Sequence, residues 1–399
     1  MRDLKHLIFF ENLLQSANNE LVQQACSEGK LALGYNCSHV PEVLLDVEGC
    51  FSVRLRAPGC ISPDLATYYM TNRSCPYSKS ILERAFEGGY NFLDALMGQE
   101  CCSTMNRMEQ YFDYCKLIKK NKFFISYLDV PLKKSEWHKG YYQRQIEQKI
   151  IKPLEEQYGV DFSEEKLRKA IDEHNEVCRI ISEIGDLRKL DNPPITGYEF
   201  HVIQLVSLTC PKYLILPYLR ETLEELRSRE SEPAPWYRAR VMVAGAEVDD
   251  PEFTKLLESC GAFVVADRYC FGSLPGREEI IIKDGQTALE AIAEKYHEEN
   301  QCPRSMGGEN IIGRKKYVYD LAKEYKADGI LVESMKFCEY WGYERAQLSM
   351  WLQEGYELPG TIPVCQIEKD YNNGATGQLR TRFQAFVESL EIKQIQAEK

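Results

Sequence analysis

The chain has 399 residues, 44% of them hydrophobic and 28% charged. That size suits two or three domains, and the balance excludes a disordered or fibrous protein. The formal charge of −12 argues against a large nucleic-acid surface, whose affinity rests on neutralising phosphates, but leaves room for a local basic pocket. No apolar run reaches the roughly 18 residues of a spanning helix. Met1-Arg2-Asp3-Leu4-Lys5-His6 opens no secretory signal, so a cytoplasmic protein is expected.

In chain order, Leu31–Tyr35 is a short apolar run and Pro41 opens a helical stretch over Glu42–Val47. Phe51–Leu55 alternates like a strand, and Lys79–Glu87 has helical spacing of Ile81, Leu82, Ala85 and Phe86. Phe92–Met97 is apolar, Thr104–Lys119 helical and Phe123–Leu128 apolar again. Strand, helix, strand at this spacing predicts parallel βαβ units with helices on the sheet faces. The middle, 134–235, reads instead as amphipathic helices, with Ile146, Ile150, Ile151 and Leu154 on one face, a break at Asp191-Asn192-Pro193-Pro194 and a joint at Ser231–Pro235. Alternation then resumes. Strands are predicted over Arg240–Ala244, Phe263–Ala266, Gly329–Val332 and Ile362–Gln366. Helices are predicted over Pro251–Ser259 (stopped by Gly261), Ala288–Tyr296, Gly313–Tyr325, Arg345–Leu352 and Gly377–Leu390. The organisation is therefore α/β: one unit over 1–133, a helical segment over 134–235 and a second α/β unit over 236–399, without a close internal repeat.

Several chemistries fail on their motifs. No G-x-G-x-x-G joins a strand to a helix. Gly308-Glu309-Asn310-Ile311-Ile312-Gly313 has the glycine spacing of a phosphate loop, but Arg314-Lys315 follows where Lys and Ser/Thr are needed. There is no H-E-x-x-H and no C-x-x-C, which disfavours a zinc protease, a zinc ribbon and a thioredoxin-like site.

Cysteine is the unusual residue: there are 15, an odd number in a long chain, whereas secreted disulfide scaffolds are normally short. In an open parallel sheet, ligands bind beyond the carboxyl ends of the strands. Cys60, Cys101, Cys102, Cys270 and Cys338 each follow a predicted strand, and Cys75 and Cys302 lie in connections just before a proline. Cys26, Cys178, Cys260 and Cys365 lie in helix or strand patterns and read as packing residues. Loop thiolates converging from several strand ends suit an iron–sulfur cluster, and three thiolates would leave a fourth iron open. The alternative is a set of incidental buried thiols.

The stretch Glu333-Ser334-Met335-Lys336-Phe337-Cys338-Glu339-Tyr340-Trp341-Gly342, preceded by Asp328-Gly329-Ile330, resembles the K-F-C-(D/E)-x-W-G signature of the 2-hydroxyacyl-CoA dehydratase and benzoyl-CoA reductase family. Cys302-Pro303-Arg304, Cys270-Phe271-Gly272-Ser273, Cys102-Ser103-Thr104-Met105-Asn106-Arg107 and Asn72-Arg73-Ser74-Cys75 are similar to further elements of that family, in the expected order, with Ser103 in place of the usual acid. The resemblance covers about residues 25–390. It implies two Rossmann-like (flavodoxin-like) parallel-sheet domains with a helical insert. It also implies a [4Fe-4S] cluster on Cys75, Cys102 and Cys338, with Cys101 an alternative to Cys102. The implied activity is radical elimination of water from a 2-hydroxyacyl-CoA after one-electron input from an ATP-dependent activator. The implied partners are an acyl-CoA, that activator and an identical or homologous subunit, with neither nucleic acid nor membrane. A double-cubane branch of the family implies instead an [8Fe-9S] cluster on six cysteines, with Cys60, Cys270 and Cys302 completing the set, in an ATP-dependent low-potential reductase. A benzoyl-CoA reductase-like subunit and a non-catalytic electron-transfer partner are further alternatives. Apart from the resemblance, Arg380 and Arg382 could hold a phosphate or form ion pairs, Lys336 could offset cluster charge or stand solvated, and His39 could carry a proton or have no role.

Overall fold

The computed structural model describes residues 3–100, 102–231, 235–273, 277–372 and 376–397. Cys101, the centre of the Ser231–Pro235 joint and Gly374 lie outside these residues. Two four-stranded sheets, all parallel, carry the fold. The first comprises β1 (Leu31–Tyr35), β2 (Cys50–Arg54), β3 (Ala95–Gln99) and β4 (Phe124–Leu128) in the order β2-β1-β3-β4. The second comprises β5 (Ala239–Gly245), β6 (Ala262–Tyr269), β7 (Gly329–Met335) and β8 (Val364–Lys369) in the order β6-β5-β7-β8. The order is the same in both halves. In each it reverses between the first and third strands, which is where open α/β sheets place their ligands.

Strands buried on both faces read as continuous apolar runs, and β5, Ala-Arg-Val-Met-Val-Ala-Gly, is buried at every residue. β6 extends beyond the predicted Ala266, through Asp267 and Arg268, to Tyr269. Two charged residues end the apolar signal there, but Arg188 meets Asp267 at 3.0 Å with both side chains 1% exposed. β3 starts at Ala95 rather than Phe92, because the Leu93 amide donates to the Tyr90 carbonyl and holds that stretch in a turn. The glycine-spaced stretch from Gly308 forms the opening turns of the helix Gly308–Glu324, not the loop between strand and helix that a Walker-type motif needs.

The helical segment packs against both sheets. Its helix Gly197–Thr209 is apolar nearly all round, starts at a Thr196/Glu199 capping box and lies between β2 and β6, as a helix buried on every side must. Buried ion pairs tie the segment down on each side: Lys212 to Asp46 at 2.5 Å and to Glu42 at 3.4 Å, and Arg188 to Asp267. A continuous apolar core runs through both sheets and this helix.

Candidate metal centre

The strand ends of the two sheets face each other across the molecule. Arg54, the last residue of β2, donates through Nη1 to the Cys270 carbonyl at 2.5 Å, just past β6. Its guanidinium stacks 4.0 Å from the Phe271 ring.

Three of the cysteines picked from the sequence, Cys75, Cys102 and Cys338, share one local arrangement. Each is the N-cap residue of a helix: Pro76–Phe86, Ser103–Tyr114 and Glu339–Glu354 respectively. None spends its side chain on capping that helix, so each sulfur sits at the positive end of a helix dipole. The three thiols lie within electrostatic reach of one another. Burial, reinforced by Cys102, pushes the Cys75 thiol up to about 12, with the Ser78 and Tyr77 amides opposing. Burial and then Cys75 push Cys338 well above the usual thiol range; Cys102 and Glu333 add to this, and the Trp341 amide opposes it. Cys102 also meets the Thr104 hydroxyl at 3.4 Å. Phe337, just before Cys338, has φ +61°, a left-handed conformation that costs a non-glycine residue about 1–2 kcal/mol. That turn carries the chain from the end of β7 into the Cys338 cap.

A second group of thiols forms nearby. Asn300 donates weakly to the Ser38 carbonyl and hydroxyl at 3.5 Å and accepts from the Cys302 amide at 2.8 Å. This bridge fixes the Cys37 turn beside Cys302. Burial pushes Cys37 up to about 12, and Cys302 adds to it. Cys270 is driven well above its usual range by burial and Glu247, then by Cys302, with Cys37 also contributing. Thus Cys270 and Cys302 come together, but with Cys37. Cys60 stands apart: the groups acting on its thiol are Ser80, Glu83, Glu87 and Arg84. Sequence reading passed over Cys37, whose only signal was its place directly after β1 at the point where the strand order reverses. Among the described residues, no three His, Cys, Asp or Glu side chains close tightly enough to chelate a single metal ion. A multi-iron group binds each thiolate to a separate iron and draws them less close.

Beside Cys102 lies a buried carboxyl. Glu109 is fully buried, and Asn36 donates to its Oε1. Burial, with Cys102 and Glu100, pushes it up to about 8 against the Asn36 bond. A Cβ at Gly98 would stand 2.5 Å from this carboxyl, so β3 needs glycine there. The second sheet repeats the device. A Cβ at Gly245 would stand 2.6 Å from Glu333 Oε2, and that oxygen accepts from the Ala246 amide at 2.9 Å.

A cleft between the halves opens next to the Cys75 cap, at Pro76. Pro76, Lys79, Lys336, Lys369 and Arg382 line it, with Glu368 and Asp370. Lys79 is buried and donates only weakly, to the Asn72 carbonyl at 3.4 Å. Lys336 pairs loosely with Asp370 at 3.4 Å. Arg380 lies outside this cleft and donates to Ser259. His39 is buried, its main-chain carbonyl accepting from Tyr142 at 2.6 Å.

These features define a two-sheet α/β protein with cysteines gathered where the strand ends of its halves meet. Residues 37–390 match the family model for the 2-hydroxyglutaryl-CoA dehydratase D-component, and the chain belongs to that family. It is 26% identical to the (R)-phenyllactyl-CoA dehydratase beta subunit of Clostridium sporogenes, over 96% of this chain and 97% of the relative. It is 24% identical to the beta subunit of the (R)-2-hydroxyglutaryl-CoA dehydratase of Acidaminococcus fermentans, over 91% and 93%. It is 18% identical to a subunit of the benzoyl-CoA reductase of Thauera aromatica, over 80% of each chain. Among the described residues, no helix is long and apolar enough to cross a membrane.

Proposed function

We propose that this chain is a subunit of a 2-hydroxyacyl-CoA dehydratase in which Cys75, Cys102 and Cys338 hold a [4Fe-4S] cluster. The observation that carries the reading is the shared placement of the three cysteines: each at a helix N-terminus, none engaged in capping, all within reach of one another. Helix N-termini favour anionic groups, and a thiol that binds metal gives up its proton whatever its resting pKa. When bound, the cluster would supply single-electron chemistry at an iron left open by three-thiolate ligation, for removal of water from a 2-hydroxyacyl-CoA once an ATP-dependent activator has delivered an electron.

The chain's own residues have definable parts in this. Lys79, Lys336, Lys369 and Arg382 line the cleft that Pro76 borders and would bind the phosphates of the CoA moiety. The protonated Glu109 carboxyl is a proton reserve next to Cys102. The names of the relatives support a partner that is another family member, since they are called subunits. The test is dehydration of an acyl-CoA by the anaerobically purified chain with its partner subunit and activator. Turnover abolished by Cys338→Ala supports the reading; turnover that survives with unchanged iron content refutes it.

A second reading, an ATP-dependent reductase with a double-cubane [8Fe-9S] cluster, is favoured by one observation: the second thiol set, Cys37, Cys270 and Cys302. In that reading Cys37 takes the place expected of Cys60. Iron content separates the two readings, at about four irons per chain against about eight.

A further inference from the structure

Around the second thiol set buried arginine donors are left unmet. Arg54 and Arg268 are essentially inaccessible and Arg304 is 6% exposed. Each spends part of its guanidinium on main-chain carbonyls: Arg54 on Cys270, Arg268 on Gln301, and Arg304 on Glu100 and on Val130 at 3.0 Å. Each also leaves donors unmet. Nε and Nη2 of Arg54, Nε and Nη1 of Arg268, and Nε and Nη1 of Arg304 have no hydrogen-bond partner, and neither ring nitrogen of His39 has one. The nearby carboxylates pair with charge but do not meet these donors. Glu247 stands 3.8 Å from Arg54 Nη2, beyond hydrogen-bonding distance. Glu344 is taken by Arg314 at 3.1 Å. A buried guanidinium without an acceptor is costly, and these three arginines, from three separate segments, divide the set between them: Arg54 acts on the Cys37 and Cys270 thiols, Arg268 and Arg304 on Cys302.

We propose that Arg54, Arg268 and Arg304 form a collar of N–H donors for the second iron–sulfur unit of the double-cluster reading, at Cys37, Cys270 and Cys302. The inference rests on the double-cluster reading and adds what holds its charge. Three thiols select a soft metal group over a plain oxyanion. Inorganic sulfide and thiolate sulfur accept N–H bonds, and such bonds set a cluster's potential. Each thiol would release its proton to solvent as its sulfur bonds iron, and the arginines would carry the balancing charge.

The test is iron and acid-labile sulfide quantification on the full chain reconstituted without oxygen, with redox titration of its paramagnetic signals. The expected result is about eight irons in the parent protein and about four in Cys302→Ser and in Cys338→Ala. The double variant Arg268→Gln/Arg304→Gln is expected to fall to about four irons. Arg304→Lys, which keeps the charge and is the safer fold, should retain iron but titrate at lower potential in one of the two signals. If the parent binds about four irons, all lost in Cys338→Ala and untouched in Cys302→Ser, the second unit is refuted while the single-cluster reading stands. If the parent binds about eight and both arginine variants match it in iron and potential, the collar is refuted while the double cluster stands. Absence of iron from every protein would overturn the inference together with the reading beneath it.

Discussion

The two sheets share one strand order yet contribute unequally to the two thiol sets. The first half supplies Cys75 and Cys102 to one set and Cys37 to the other; the second half supplies Cys338 to the first set and Cys270 with Cys302 to the second. The means of offsetting negative charge differ as well. The first set sits on three helix N-termini, whose partial charges come from the backbone and leave the surroundings open to a cleft. The second is bordered by arginines, which are full charges on side chains that must themselves be buried. The difference teaches that one topology, used twice, can build an open centre and an enclosed one from the same strand ends.

The largest expected effect concerns the paired carboxyls. Glu109 is raised to about 8 in the folded chain from an ordinary 4.5, so the folded state holds a proton that the unfolded state releases. Its contribution to stability is fully present below about pH 4.5 and is lost as the pH rises through about 8, on the order of 4–5 kcal/mol. Urea unfolding of the metal-free chain at pH 5 and pH 8 should therefore show Glu109→Gln gaining on the parent as the pH rises. Glu333→Gln should gain less: burial raises the Glu333 carboxyl too, but Lys369 and the Ala246 amide oppose it. Parallel curves for Glu109→Gln and the parent would remove the asymmetry.

Next come the ion pairs that seat the helical segment. Lys212→Met leaves Asp46 and Glu42 buried without their cation, and Arg188→Met does the same to Asp267. Each should cost about 3–5 kcal/mol in denaturant unfolding. A loss below about 1 kcal/mol in either variant would mean that its sheet does not depend on the segment. Gly98→Ala and Gly245→Ala should follow, at about 1–3 kcal/mol each, since each new Cβ meets a buried carboxyl; thermal melts of the two variants compare the sheets directly. The smallest effect is expected from Arg382→Ala, at the edge of the cleft. KM for an acyl-CoA should rise roughly tenfold, the loss of one charge-assisted phosphate contact, with kcat little changed, whereas Arg380→Ala, outside the cleft, should leave KM alone.

Much of the fold was legible because parallel strands buried on both faces announce themselves as apolar runs bounded by glycine, and β1, β2, β4, β5 and β7 begin within a residue of where such runs begin. The signal failed where tertiary partners overrode composition. Asp267 and Arg268 extend β6 because Arg188 and the Gln301 carbonyl receive them. Cys75, Cys102 and Cys338 could be singled out by the family resemblance, since position alone marked seven cysteines without separating them. The sorting of the remaining cysteines could not: Cys60 and Cys270 both follow the second strand of their sheet, and only the packing of one half on the other sends Cys270 to the seam beside Cys302. Arg54 and Arg268 escaped notice, and Arg304 stood out only as part of the Cys302-Pro303-Arg304 element, because a buried arginine and a solvated one look the same in a sequence.

The central claim is that Cys75, Cys102 and Cys338, drawn from both halves, grip one cluster. Iron and sulfide quantification with electron paramagnetic resonance of the reduced protein, on the parent and on Cys338→Ala prepared without oxygen, tests it most directly. Loss of about four irons and of the corresponding reduced-cluster signal is expected in the variant; full iron content with an unaltered spectrum would contradict the shared cluster.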